Sequence, residues 1–449
     1  MKKTFSIVFA ALGMTVCLAL FVCFLLLGPS AAGANEVLSP PPSAVEKDGT
    51  LNDAYLRDCA DYYDTHFHFR QELIDAYAHL HTALFAAAPD GDVILGRNGW
   101  LYYGSTLADY TGTAPMTAYE LSAAADNLRL MQEYCEAQGM TFAFAPVPNK
   151  NTLYDENMPD CGVKNPKHDI ERLTELLRER GVNTADLLTA FAGQSETLYF
   201  AHDSHWTSRG AALGADCINA ALGREKRFFT GDFLPGEAHA GDLFAMLYPT
   251  STDTETDTVY AGELRFSFAQ GSGKRPDSIS IRTESGAPGA LYAFRDSFGN
   301  SLYPYLAASY GQTTFSRSVS YNLVTAAEAG ADAVVIELVE RNLSNLLKYL
   351  PVMPAPQREI APGLSGGQTA LSAESTGDTL EGYCLWRGRQ TDADADSPVY
   401  LLTDHGAYEC FRQSDGSFSA YIPESDTATG VAYYMGGALT ALLPDYTET

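Results

Sequence analysis

Hydrophobic and polar positions divide the chain into four stretches. Residues 5–27 carry no charge. As a helix at about 1.5 Å per residue they reach roughly 34 Å, enough to cross a hydrocarbon core of about 30 Å. Lys2 and Lys3 precede this run, which orients them inward and everything after residue 35 outward. Ala32-Gly33-Ala34 also reads as a small-residue cleavage site. Residues 1–34 are therefore a signal anchor or a signal peptide. Residues 35–50 are rich in Pro and Ser and read as a linker. Residues 51–88 place Tyr55, Tyr62, Tyr63, Phe67, Phe69, Leu73 and Ile74 near helical spacing, predicting one helix.

Strand and helix patterns then alternate. A hairpin is predicted over 93–103, with helices at 118–137, 168–180, 207–221, 299–310 and 341–349. Thr207 is the expected N-cap of the third, and Pro304 should fall near the first turn of the fourth. Strands are predicted at 141–147, 291–294, 313–315 and 331–338, and an exposed loop at 251–257. This alternation predicts an α/β fold with a parallel sheet and flanking helices. Beyond the Pro- and Gly-rich stretch 351–367 the helical period disappears. Short runs such as Tyr383-Cys384-Leu385-Trp386 and Phe418-Ser419-Ala420-Tyr421-Ile422 predict a small C-terminal antiparallel β domain. The expected units are 51–362 and 363–449.

Charge narrows the partners. Lys and Arg total 29 against 56 Asp and Glu, a formal charge of −27. Such a body repels phosphate backbones, so nucleic acid is excluded as a partner. Cys59, Cys135, Cys161 and Cys217 show no metal-type spacing. Cys384 and Cys410 are either a disulfide of an exported chain or two buried thiols.

Two short segments carry chemistry. Phe294-Arg295-Asp296-Ser297-Phe298-Gly299-Asn300 sets a serine where a strand turns into a helix, at the carboxyl edge of the sheet, with Gly299 allowing close approach of a substrate. A capping role for Asp296 or Ser297 is the alternative. Phe200-Ala201-His202-Asp203-Ser204-His205-Trp206-Thr207 holds two of the nine histidines. Asp203 can orient His205, and His205 can take a serine proton; a solvated turn is the alternative. His202 has no further ligand cluster beside it, so no metal and no cofactor are expected. Together Asp203, His205 and Ser297 fit a nucleophile–base–orienter set. No G-x-S-x-G is present, which disfavours an α/β-hydrolase elbow.

These residues resemble a known family. Asp203-Ser204-His205-Trp206 with Arg295-Asp296-Ser297-Phe298-Gly299-Asn300 is similar to the bacterial DHHW family, related to the SGNH-hydrolase-like proteins of alginate O-acetylation. Asp64-Thr65-His66-Phe67-His68-Phe69-Arg70, Ile94-Leu95-Gly96-Arg97-Asn98-Gly99-Trp100-Leu101, Pro148-Asn149-Lys150 with Tyr154 and Pro159, Gly241-Asp242-Leu243 and Glu340-Arg341-Asn342-Leu343 resemble its other motifs in order, over about residues 53–350. Ser204 departs from the family's histidine. The resemblance implies an SGNH-hydrolase-like fold with Ser297 as nucleophile, His205 as base and Asp203 as orienter.

It further implies an exported O-acetyltransferase or acetylesterase acting on a cell-envelope or extracellular polysaccharide, tethered by the N-terminal helix or secreted. A membrane-bound acyltransferase is a candidate acyl donor. The contrasting expectation is a non-catalytic glycan-binding or scaffolding protein that partners such an acyltransferase. The Ser297 backbone N–H, with Asn149 or Tyr321, is a candidate oxyanion hole. Arg341 is a candidate ligand of a substrate oxygen, or else an ion-pair member. Trp206, Trp100, Tyr102 and Tyr103 are candidate sugar platforms, or else core.

Overall fold

The computed structural model describes residues 2–33, 38–225, 227–360, 365–368 and 373–443. The junction at 34–37, the boundary expected at 362/363 and residues 444–449 lie outside them. Lys2–Leu27 is one helix, long and apolar enough to cross a membrane. The single helix expected over 51–88 is two, Tyr55–His66 and Arg70–Phe85. Phe69 breaks them apart at φ 66°, a left-handed conformation that ends a right-handed helix.

The central sheet has six strands: β1 (Thr141–Val147), β2 (Ser267–Phe268), β3 (Ser280–Glu284), β4 (Ala290–Phe294), β5 (Gln312–Ser316) and β6 (Ala333–Val339). Their order is β1-β6-β4-β5-β3-β2. The pairs β1–β6, β6–β4 and β4–β5 are parallel. The expected parallel sheet is therefore mixed, because β3 joins β5 antiparallel and carries β2. Strand β3 alternates buried and exposed residues, as an antiparallel strand covered on one face does.

Side chains alternate across the inner strands. Ala143, Ala145, Val147, Leu291, Ala293, Val335 and Val339 pack beneath helices Ser208–Ala221 and Gly299–Ser309. Phe142, Phe144, Tyr292, Phe294, Val334, Ile336 and Leu338 pack beneath helices Ala118–Ala137 and Asp169–Glu179. Thr207 caps its helix as expected, accepting from the Gly210 N–H at 3.1 Å. Pro304 sits in the second turn of its helix, not the first.

Two local expectations fail. The predicted exposed loop becomes strand from residue 255: Glu255–Tyr260 pairs with Phe233–His239. Its run of Thr, Asp and Glu hides the strand, since this two-stranded ribbon buries little of either face. The helix expected over 341–349 is a 3₁₀ turn, Glu340–Asn342, followed by the short helix Asn345–Lys348.

The C-terminal region forms a six-stranded and a four-stranded sheet. Pairing is antiparallel except where Ser365–Gln368 runs parallel to Ala438–Leu443. Cys384 and Cys410 are free thiols. This region is fastened to the α/β part by polar groups. Asn127, fully buried, donates to the Leu346 and Arg412 carbonyls at 3.1 and 2.9 Å and accepts the Arg412 N–H at 3.0 Å. The buried Arg412 guanidinium pairs with Asp126, and Phe411 enters the core under the 118–137 helix.

Removing one member of a buried ion pair leaves an uncompensated charge. Asp126→Ala is therefore expected to destabilise the protein by about 3–5 kcal/mol. Urea unfolding against wild type checks this, and an unchanged midpoint would contradict the docking role.

Candidate active site

Both signature segments sit at the carboxyl edge of the sheet. The first is a loop closed by the Tyr199–Trp206 bridge. Its own hydrogen bonds cannot satisfy its backbone, and charged side chains do so instead. Lys150 Nζ donates to the carbonyls of Phe200, Ala201 and Asp203 at 3.0, 3.0 and 2.7 Å, one ammonium hydrogen for each. Glu255 accepts the N–H groups of Ala201 and His202 at 2.8 and 2.7 Å. Asp242 accepts both the N–H and the hydroxyl of Ser204 at 2.7 Å. Gly241 makes that approach possible, because a Cβ there would lie 2.3 Å from the His202 carbonyl oxygen. Burial pulls the Lys150 pKa down to about 7, against the opposing pull of Asp203, Asp242 and Glu255.

The second segment follows β4. Asp296 Oδ1 accepts the Phe298 N–H at 2.9 Å, while its Oδ2 accepts the Val339 N–H at 2.9 Å and Asn342 Nδ2 at 3.1 Å. One carboxylate thus shapes the turn and ties it to the end of β6. Arg295 is buried and donates to the Pro276 carbonyl at 2.6 Å and to Asn300 Oδ1 at 2.7 Å. Its side chain fills the space at Gly299, where a Cβ would lie 2.4 Å from Arg295 Cδ. Gly299 therefore admits Arg295, not a substrate.

The turn presents Ser297 Oγ to His205 Nε2 at 2.8 Å, and His205 Nδ1 lies 2.7 Å from Asp203 Oδ1. Asp203 also accepts the His205 N–H at 2.8 Å, His239 Nε2 at 2.8 Å and the Asp242 N–H at 2.9 Å. Burial alone would raise the Asp203 pKa. The hydrogen bonds from His205 and His239 prevail and hold it well below the usual carboxylate range. Asp242 moves the other way, raised by burial and by the charge of Asp203.

The remaining candidates separate. Trp206 is 1% exposed, and its indole N–H is shared between the Phe298 carbonyl at 3.1 Å and Ser301 Oγ at 2.8 Å. It is a core strut between the two segments, not a sugar platform. Tyr102 is equally buried, its hydroxyl on the Tyr154 carbonyl; Trp100 and Tyr103 are half-buried. Tyr321 lies in the core beside Phe294 with no hydrogen bond to its hydroxyl, so nothing joins it to Ser297. Asn149 is buried at the end of β1, where its N–H donates to Glu340 Oε2 at 2.8 Å and its Oδ1 accepts the Arg341 N–H at 3.3 Å. Arg341 lies over Phe298 and Tyr103, 5.2 and 5.3 Å from the ring centres. Among the described residues no carboxylate pairs with it.

Lys150, His239, Asp242 and Glu255 were not among the expected site residues. Lys150 and Asp242 fall within quoted motifs, so the sequence held a signal for them. His239 and Glu255 lie on the unforeseen ribbon and had none.

Two clusters bring three ligand-type atoms within 4.8 Å: Asp203, His205 and Asp242, and Asp109, His168 and Glu340. In the first, every carboxylate oxygen already accepts a protein hydrogen bond. In the second, Asp109 Oδ2 lies 2.9 Å from His168 Nδ1, and burial and Asp109 push the Glu340 pKa up to about 8. A proton on Glu340 balances the two carboxylates there.

Residues 93–264 match the SGNH hydrolase-like domain of the acetyltransferase AlgX. The resemblance read from the sequence, to SGNH-hydrolase-like proteins of alginate O-acetylation, therefore holds. The chain is 25% identical over 321 residues to the probable alginate O-acetylase AlgJ of Pseudomonas syringae pv. tomato, covering 67% of this chain and 74% of the relative. Among solved structures, a DHHW family protein from Eubacterium siraeum aligns with a TM-score of 0.43 and 16% identity, over 58% of this chain and 99% of its own. The O-acetyltransferase domain of Pseudomonas putida AlgJ aligns with a TM-score of 0.37 and 19% identity, over 56% and 91%.

Lys150→Met removes the donors from three carbonyls of the histidine loop. Each buried acceptor left unsatisfied costs about 1–3 kcal/mol, so the thermal midpoint is expected to fall by several degrees or more. An unchanged melting curve would show that the loop holds without Lys150.

Proposed function

We propose that the chain is an exported serine acyltransferase or esterase that moves acetyl groups on a cell-envelope or extracellular polysaccharide. The observation that carries this reading is the continuous chain Ser297 Oγ–His205–Asp203, with links of 2.8 and 2.7 Å. Such spacing allows proton transfer without rearrangement. The acetyl chemistry and the polysaccharide come from the AlgX- and AlgJ-type relatives. The apolar N-terminal helix supports an extracytoplasmic site, tethered or secreted. A membrane-bound acyltransferase supplying the acetyl group is the partner this reading implies.

The mechanism follows from the geometry. Asp203 holds the tautomer with a proton on His205 Nδ1, leaving Nε2 to accept. Ser297 Oγ attacks the acetyl carbonyl as its proton passes to His205 Nε2. The bond from the carbonyl carbon to the donor oxygen breaks, and that oxygen takes the proton from His205. A sugar hydroxyl, or water in the esterase case, then loses its proton to His205 and attacks the acetyl-serine, and Ser297 recovers its proton. Negative charge on the carbonyl oxygen needs donors already in place. The Ser297 N–H has no acceptor among the described residues, and the Arg341 guanidinium is free of carboxylates; these two are the donors proposed for it.

The test is acetyl-ester hydrolysis by the full-length protein in detergent, using a chromogenic acetate and an acetylated oligosaccharide. Ser297→Ala is expected to lower kcat at least about a thousandfold. Asp203→Asn, which favours the wrong tautomer, is expected to lower it by about 10⁴. Wild-type and Ser297→Ala proteins of equal activity would overturn the serine mechanism.

A further inference from the structure

We propose that His239 is a positioning residue of this site, a second imidazole that shares the Asp203 carboxylate with His205 and sets how firmly Asp203 supports a protonated His205. The inference rests on the serine acyl-transfer reading. Its basis is a division of one carboxylate between two rings. His205 Nδ1 takes Oδ1 at 2.7 Å, and His239 Nε2 takes Oδ2 at 2.8 Å.

The two rings differ in access. Asp203 is 4% exposed in its side chain, whereas His239 is 37% exposed. His239 ends the strand Phe233–His239 and stacks on Phe200, ring centres 4.2 Å apart. Among the described residues nothing bonds to its Nδ1. A proton can therefore enter from solvent at Nδ1 while Nε2–H stays on Asp203.

The charged groups around His239 favour that proton. Glu255 is its partner across the ribbon, and Asp257 lies two residues further along. Asp242 donates its N–H to the same Oδ2, and Lys150 Nζ sits on the Asp203 carbonyl. The bond to Asp203 lifts the His239 pKa above the ordinary histidine value, against its burial. Once protonated, His239 neutralises part of the charge that His205 needs when it takes the serine proton. By linkage each proton weakens the other, so the rings titrate as a pair. A merely structural contact would hold the loop but leave the titration of His205 alone.

The test uses full-length protein labelled with ¹³C-histidine, followed by NMR against pH, with ring signals assigned by single substitutions. Ser297→Ala is compared with Ser297→Ala/His239→Gln; glutamine keeps an N–H toward Oδ2 but takes no proton. The His205 midpoint is expected to rise by about one pH unit in the double variant, the scale on which two sites titrate as a pair. In the Ser297→Ala protein alone, the two rings are expected to titrate in coupled steps. For acetate hydrolysis, the acid limb of wild type should be broadened over two steps and that of His239→Gln should follow a single one-proton step. Identical His205 midpoints, with single-step curves for both rings, would overturn the proposal. The NMR arm reads the coupling without turnover. Loss of the serine reading would instead show as undiminished activity in Ser297→Ala.

Discussion

Everything at the carboxyl edge of the sheet depends on keeping one buried charge ionised. Asp203 is almost wholly removed from water, and an isolated carboxylate in such a place would take up a proton. It stays charged because four N–H groups point at it, two from His205, one from His239 and one from Asp242. These donors come from two stretches of chain more than thirty residues apart. Charging Asp203 and folding the Phe233–His239 ribbon against the histidine loop are therefore one event. Without the ribbon and the Gly241-Asp242 turn that follows it, the carboxylate loses half of its donors.

The same economy explains how so acidic a chain builds a polar interior. Asp242, Glu255 and Asp296 each accept backbone N–H groups of loops that have no ladder of their own. Charge-assisted bonds of this kind are stronger than neutral ones, so a carboxylate is an effective clip for a tight turn. The opposing case is a carboxylate with too few donors. Glu337 is fully buried with one oxygen unpartnered, and burial pushes its pKa well above the usual range. It stands behind the Ser297 turn, accepting the Asp296 N–H at 3.2 Å. A neutral Glu337 spares Asp296 a second negative charge at close range.

What the sequence made legible divides along physical lines. Strands β1, β4 and β6 announce themselves because both of their faces are buried, leaving nearly unbroken apolar runs. The antiparallel strand β3 and the ribbon do not, since Ser280–Glu284 and Glu255–Tyr260 hold mostly polar residues. Pairing, not hydrophobicity, makes them strands. The break at Phe69 was hidden for a different reason: an aromatic residue in the left-handed region has no sequence signal. At the site, Asp203, His205 and Ser297 were legible because reactive residue types stood beside predicted strand and helix ends. His239 was hidden with its ribbon. Trp206 stayed open between sugar platform and core, because an aromatic ring in a polar segment reads equally as platform or strut. Only the partners of the indole N–H decide.

That decision on Trp206 explains how two segments ninety residues apart keep hydrogen-bond register. A functional constellation is held to within about 0.5 Å, and the Ser297–His205 hydrogen bond alone is too weak to impose that. Trp206 adjoins His205 in sequence, and its ring packs on Phe191 and Phe298. Its N–H spans to Phe298 and Ser301, on the Ser297 side. Phe298 in turn packs against the His205 ring, centres 4.7 Å apart, and carries Arg341 over its own face. His205, Ser297 and the Arg341 guanidinium thus lean on one aromatic block continuous with the core under the sheet. A tryptophan suits this place because it joins a large rigid surface to a single directional donor. Phenylalanine would fill the space but leave the Phe298 carbonyl and Ser301 without their shared donor. The separation of His205 from Ser297 would then rest on packing alone.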